Sequence, residues 1–88
     1  MKIKDTFILR TIAGNSIVLP VGASSDAFSG MMTLNETGVF LWNSLKNDIS
    51  MDDLVNAMLS EYNVSADQAK ADAEEFIKSL RSAGVLEE

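Results

Sequence analysis

Leu34-Asn35-Glu36-Thr37-Gly38-Val39-Phe40-Leu41-Trp42-Asn43-Ser44-Leu45 is the stretch in which a strand gives way to a helix. Asn35 suits the N-cap, because its side-chain oxygen can accept from the unpaired N–H groups of the first turn. Glu36 then places an acid against the positive end of the helix dipole. Leu34 and Val39 have the spacing of a hydrophobic staple, which sets the angle at which the strand enters the helix. Gly38 costs about 1 kcal/mol against Ala within a helix, so its presence predicts a close backbone approach by another element. From here the pattern extends both ways.

Forward, a first helix is predicted over residues 36–46, with Gly38, Leu41, Trp42 and Leu45 on one face at a 3.6-residue period. Phe40 lies off that face, either exposed or sandwiched between layers. Ser50 caps a second helix over residues 51–62, with Asp52 and Asp53 in its first turn and Leu54, Val55, Met58, Leu59 and Tyr62 as its apolar set. Asn63-Val64-Ser65 is a short turn, and Ser65 with Gln68 has the capping-box spacing for a third helix over residues 66–83. That helix buries a stripe of Ala69, Ala73, Phe76, Ile77 and Leu80. Gly84 stops it, and Val85-Leu86 folds back as in a Schellman motif.

Backward, residues 28–34 read as a strand with Gly30 at a bulge or bend. Residues 6–12 and 17–21 read as an antiparallel pair joined through Ala13-Gly14-Asn15-Ser16, with Gly14 and Asn15 tolerant of positive φ. Pro20 cannot donate to a ladder and belongs at an edge or strand end. Residues 22–27 form a polar loop. The sheet therefore occupies about residues 6–34, and the order β-β-β-α-α-α predicts an α+β, winged-helix-like domain over residues 1–88: a three-stranded antiparallel sheet followed by three helices.

Composition narrows the function. The chain has 88 residues, 47% of them hydrophobic, with a formal net charge of −6. Neither His nor Cys is present, which removes the usual zinc ligands, imidazole bases and thiolate nucleophiles. No catalytic residues, metal ligands or cofactors are predicted, and the chain reads as a non-enzyme. No apolar run approaches the ~18 residues of a membrane span, and no signal-type core opens the chain, so a cytoplasmic protein without membrane contact is expected. Residues 35–88 carry four bases against eleven acids, a poor partner for phosphate backbones. A winged-helix DNA-binding regulator is the alternative that the topology allows and this charge disfavours.

The run Leu34-Asn35-Glu36-Thr37-Gly38, followed by Trp42 and Leu45, then Glu61-Tyr62-Asn63-Val64, then Leu80 and Gly84-Val85-Leu86, resembles the PqqD-like family, named for protein D of pyrroloquinoline quinone synthesis. The resemblance covers residues 7–87. It implies a precursor-peptide recognition element: a peptide chaperone that binds the leader of a ribosomally made peptide as an added strand, in the cleft between the third strand and the third helix. It also implies a peptide-modifying partner, often a radical S-adenosylmethionine enzyme that carries the iron–sulfur cluster and the chemistry. The loop at residues 22–27 is longer than the commonest family pattern, so the precursor and partner need not be those of the quinone pathway.

On that resemblance, the peptide-binding residues are placed on the third strand (Met31, Met32 and Thr33) and on one flank of the third helix (Lys70, Glu74, Ile77 and Arg81). An uncovered strand edge is by itself a template for strand addition, and thioethers adapt to varied apolar partners. Met32 is in phase with Phe28 and Leu34, as a core residue is; Met31 has the opposite phase. The flank of Lys70 and Arg81 suits an acidic-plus-apolar leader. Gln68, Asp72, Glu75 and Ser79 make up the other flank, and periodicity does not choose which faces the third strand. Exposed edges also allow a weak or strand-swapped dimer beside the monomer.

Overall fold

A two-residue turn sets the register of the sheet. Ala13 (φ 52°) and Gly14 (φ 83°) both take positive φ, as a type I′ hairpin requires. They join β2 (Phe7–Ile12) to β3 (Asn15–Pro20), with Ile12 opposite Asn15 and Phe7 opposite Pro20. A computed structural model describes residues 1–21 and 32–87 of the chain. β4 (Met32–Leu34) pairs antiparallel with β3, and the sheet order is β2-β3-β4. The turn is tighter than the sequence suggests. Asn15 already belongs to the return strand, and Ala13 takes the positive φ expected of Asn15. The loop at 22–27, the strand residues 28–31 with Gly30, and Met31 lie outside the described residues.

Pairing sorts the side chains into two faces. Phe7, Leu9, Val18, Met32 and Leu34 face the helices, with Val18 fully buried. Ile8, Arg10, Ile17, Leu19 and Thr33 share the opposite face.

Three helices follow: α1 (Glu36–Ser44), α2 (Met51–Glu61) and α3 (Ala66–Ser82). Each starts on the expected cap: Asn35 Oδ1 accepts from Gly38 N at 2.8 Å, Ser50 Oγ from Asp53 N at 3.1 Å, and Ser65 Oγ from Gln68 N at 3.1 Å. The capping box at Ser65 is only half built, because the Gln68 side chain turns to Asp72 (Nε2 to Oδ1, 2.8 Å). At the far end of α3, Gly84 (φ 73°) donates to Arg81 O and Val85 N to Leu80 O. These two bonds are the Schellman pair.

Trp42, Leu41, Leu45, Leu54, Met58, Ile77 and Leu80 are buried between the layers with the small stripe Ala69 and Ala73. Phe40 is half-buried and meets Tyr62 edge to face at 5.5 Å, so the first helix is packed on both sides. A two-stranded sheet that the sequence does not announce closes the far end: β1 (Lys2–Ile3) pairs with β5 (Leu86–Glu87). Ile3 N donates to Leu45 O and Lys4 N to Val85 O, both at 2.9 Å. The first bond satisfies a carbonyl at the end of α1 that the helix itself leaves open. Nearby, the Met1 ammonium donates to Asp48 Oδ1 at 2.8 Å and holds that carboxyl below its usual range.

Candidate functional site

The strand register decides what β4 offers. Ile12 and Asn15, flanking a two-residue turn, form a hydrogen-bonded pair. Alternation then directs the main-chain groups of Ile17 and Leu19 at β2 and those of Ser16 and Val18 at β4. Val21 N donating to Thr6 O at 2.8 Å continues the same phase. Ser16 faces Leu34 and Val18 faces Met32, so these two β4 residues bond back to β3. Thr33 lies between them and therefore points both its N–H and its C=O to the outer edge. Among the described residues, no strand lies beyond β4.

Beside that edge is a cleft of about 700 Å³ between β4, the start of α1 and one flank of α3. Its floor is apolar: Met32, Leu34, Leu41 and Phe76. Phe76 is half-buried, so the floor merges with the core. Asp72, Glu75 and Ser79 form the wall on α3, and Asn15 and Thr33 stand on the sheet side. Asn35, Thr37 and Gly38 complete the end at the strand–helix junction. The same cap that starts α1 thus shapes one end of the cleft.

Among the described residues, the cleft carries one sign of charge: Asp72 and Glu75 line it, and no described lysine or arginine does. Asp72 is held in place by the Gln68 amide one turn earlier. Ser79 spends its hydroxyl proton on its own helix, donating to Glu75 O at 3.1 Å. Among the described residues, no group of three or more His, Cys, Asp or Glu is arranged to hold a metal. Nor is any described helix long and apolar enough to cross a membrane.

Met32 and Thr33 of the anticipated residues line this cleft, and Met31 lies outside the described residues. The α3 residues Lys70, Glu74, Ile77 and Arg81 do not line it. Lys70 and Glu74 are exposed and 4.0 Å apart as an i,i+4 pair, and Lys70 borders a smaller hollow with Met51, Asp52 and Val55. Ile77 is 1% exposed and belongs to the core, while Arg81 is exposed. The flank on the cleft is that of Gln68, Asp72, Glu75 and Ser79. Sequence periodicity separates the two flanks but cannot rank them, since that depends on which way the sheet wraps the helix. The one usable signal is Phe76 beside Ala69 and Ala73, a large ring at the rim of a small-residue stripe.

A family model described as coenzyme PQQ synthesis protein D (PqqD) matches residues 15–86. No curated protein sequence matches the chain. Among solved structures, "TbiB1 in Complex with the TbiA(beta) Leader Peptide" is similar with a TM-score of 0.76 at 23% identity, covering 99% of this chain and 95% of the other. "Lasso peptide synthetase B1 complexed with the leader peptide" is similar with a TM-score of 0.73 at 21% identity, covering 96% of this chain and 93% of the other. At these identities the likeness is one of fold.

Proposed function

The chain belongs to the PqqD family, and from that premise we propose that it is a non-catalytic adaptor for the leader of a ribosomally made precursor peptide. The leader adds to β4 as an antiparallel strand, in the cleft against α3, and is presented to a peptide-modifying enzyme. A radical S-adenosylmethionine enzyme is the partner that the family resemblance favours. The place of action is the cytoplasm, where such precursors are made. Two solved proteins of this fold are described as leader-peptide complexes, which supports the reading. The observation that carries it is the outward-facing main chain of Thr33 above an apolar-floored cleft.

The energetics say how such a site binds. Thr33, the one outward residue among the described part of β4, offers a single pair of main-chain bonds, each worth about 0.5–1.5 kcal/mol net. Ordering a peptide residue costs about 1–2 kcal/mol, so backbone pairing at Thr33 sets register and direction without supplying the affinity. The larger contribution comes from side chains buried over Met32, Leu34 and Phe76, at about 25 cal/mol per Å² of apolar surface. Alternate residues of the added strand face that floor, and specificity therefore resides in every second leader residue.

Titration of the protein with a fluorescently labelled leader, taken from a precursor encoded beside it, tests the proposal. Saturable binding that a proline in the leader's strand-forming segment abolishes supports the adaptor. Salt-sensitive binding of duplex DNA with no peptide binding would overturn it in favour of a regulator.

A further inference from the structure

We infer that the leader this cleft takes is basic: on its inward face it carries a lysine or arginine set against Asp72 and Glu75. The inference rests on the strand-addition reading above and specifies the chemistry of the peptide that reading requires. The binding place is defined by the open edge at Thr33 and the apolar floor, and the two carboxylates set the sign of what lies over it.

Asp72 and Glu75 are three residues apart on α3, about 4.5 Å along the helix axis. Both line the cleft, Asp72 half-buried and Glu75 exposed. A single long cationic side chain can reach both. Successive inward side chains of an added strand are about 6.6 Å apart. The residue two positions from the cation therefore leaves the acidic wall for the apolar floor of Met32, Leu34, Leu41 and Phe76, and is apolar.

Among the described residues, no lysine or arginine lines the cleft to pair with an acidic leader. The anticipated cations on α3 do not line the cleft. The charge expected from the Lys70 and Arg81 flank is thus reversed on the flank that faces β4. An anionic peptide would set like charges together in a partly desolvated groove, a costly arrangement that suppresses wrong partners. The net charge of −6 adds a long-range field that draws a cationic peptide in.

Selection from a displayed library of random 12-residue peptides tests this on the intact protein. The expected result is a shared register with Lys or Arg at one position and a large apolar residue two positions away. In a selected peptide, replacing that cation by Gln should weaken binding about three- to tenfold, the effect of one partly exposed charge pair or two. Asp72→Asn with Glu75→Gln should erase the preference for the cation over Gln and flatten the salt dependence of binding. Selected peptides that are acidic or uncharged at every inward position would overturn the charge inference and leave strand addition standing. No enrichment of any peptide would overturn the strand-addition reading and this inference with it.

Discussion

Phe76 occupies the space that a side chain at Gly38 would need: its Cε1 stands 3.4 Å from the position of a Cβ on residue 38. Leu34 Cβ at 3.2 Å and the capping oxygen of Asn35 at 3.3 Å close the same space. Gly38 does mark a close approach, but it is made by side chains of β4, the cap and α3 and not, as the sequence suggests, by the backbone of another element. Three elements meet over one missing methyl group.

Gly38→Leu should lower stability by about 1–3 kcal/mol, the usual penalty for overpacking. Phe76→Ala alone should cost about 2 kcal/mol, less than a fully buried ring because Phe76 is half-exposed. In the double variant the two losses should be less than additive, since the smaller residue at 76 makes room for the larger at 38. Urea midpoints of the four proteins measure this coupling; strict additivity would mean that the two residues do not compete for space. Because Gly38 also lines the cleft, the single variant should lose peptide affinity as well.

Ala13 should be improvable. It holds φ 52° with its β-carbon in place, a conformation that costs an ordinary residue about 1–2 kcal/mol and Asn less. Ala13→Asn creates the Asn-Gly pair that type I′ turns favour and should raise stability by about 0.5–1 kcal/mol, read as a higher urea midpoint with an unchanged slope.

Thr33→Pro separates binding from folding. The N–H it deletes points to the free edge, so the β3–β4 ladder keeps its bonds, and proline is tolerated on edge strands. The melting transition should fall by about 1 kcal/mol in stability terms. Leader affinity should fall roughly tenfold or more, through the lost main-chain donor and the ring set against the incoming strand. Proline at Met32 should instead unfold the edge, because that N–H belongs to the ladder with β3.

Much of the fold is legible because its signals are local. Asn35, Ser50 and Ser65 announce three helix starts, Gly84 one stop, and the apolar spacing of α1 and α3 picks out Leu41, Trp42, Ala73 and Leu80. Other features depend on the assembled chain. Lys2-Ile3 and Leu86-Glu87 are two-residue strands, too short for any alternation to show, and they pair across nearly the whole sequence. Ala13 gives no sign that it takes positive φ; only the register that places Ile12 opposite Asn15 demands it. The cleft wall was half legible. Met32 and Thr33 follow from the strand, but Asp72, Glu75 and Ser79 sit on a flank that periodicity cannot distinguish from that of Lys70 and Arg81.

The most direct test of the account is the amide exchange rate of Thr33 with and without bound leader peptide. In the free protein this N–H faces the outer edge of β4, beyond which no described strand lies, and should exchange quickly, in contrast to the amides of Met32 and Leu34, which are bonded to β3. On leader binding, Thr33 should become protected by at least an order of magnitude, as expected when an exposed amide enters a ladder, with smaller changes at Phe76 and Glu75. Unchanged exchange at Thr33 at saturating leader, with protection appearing elsewhere, would show that the peptide is not an added strand on β4 and would contradict the account.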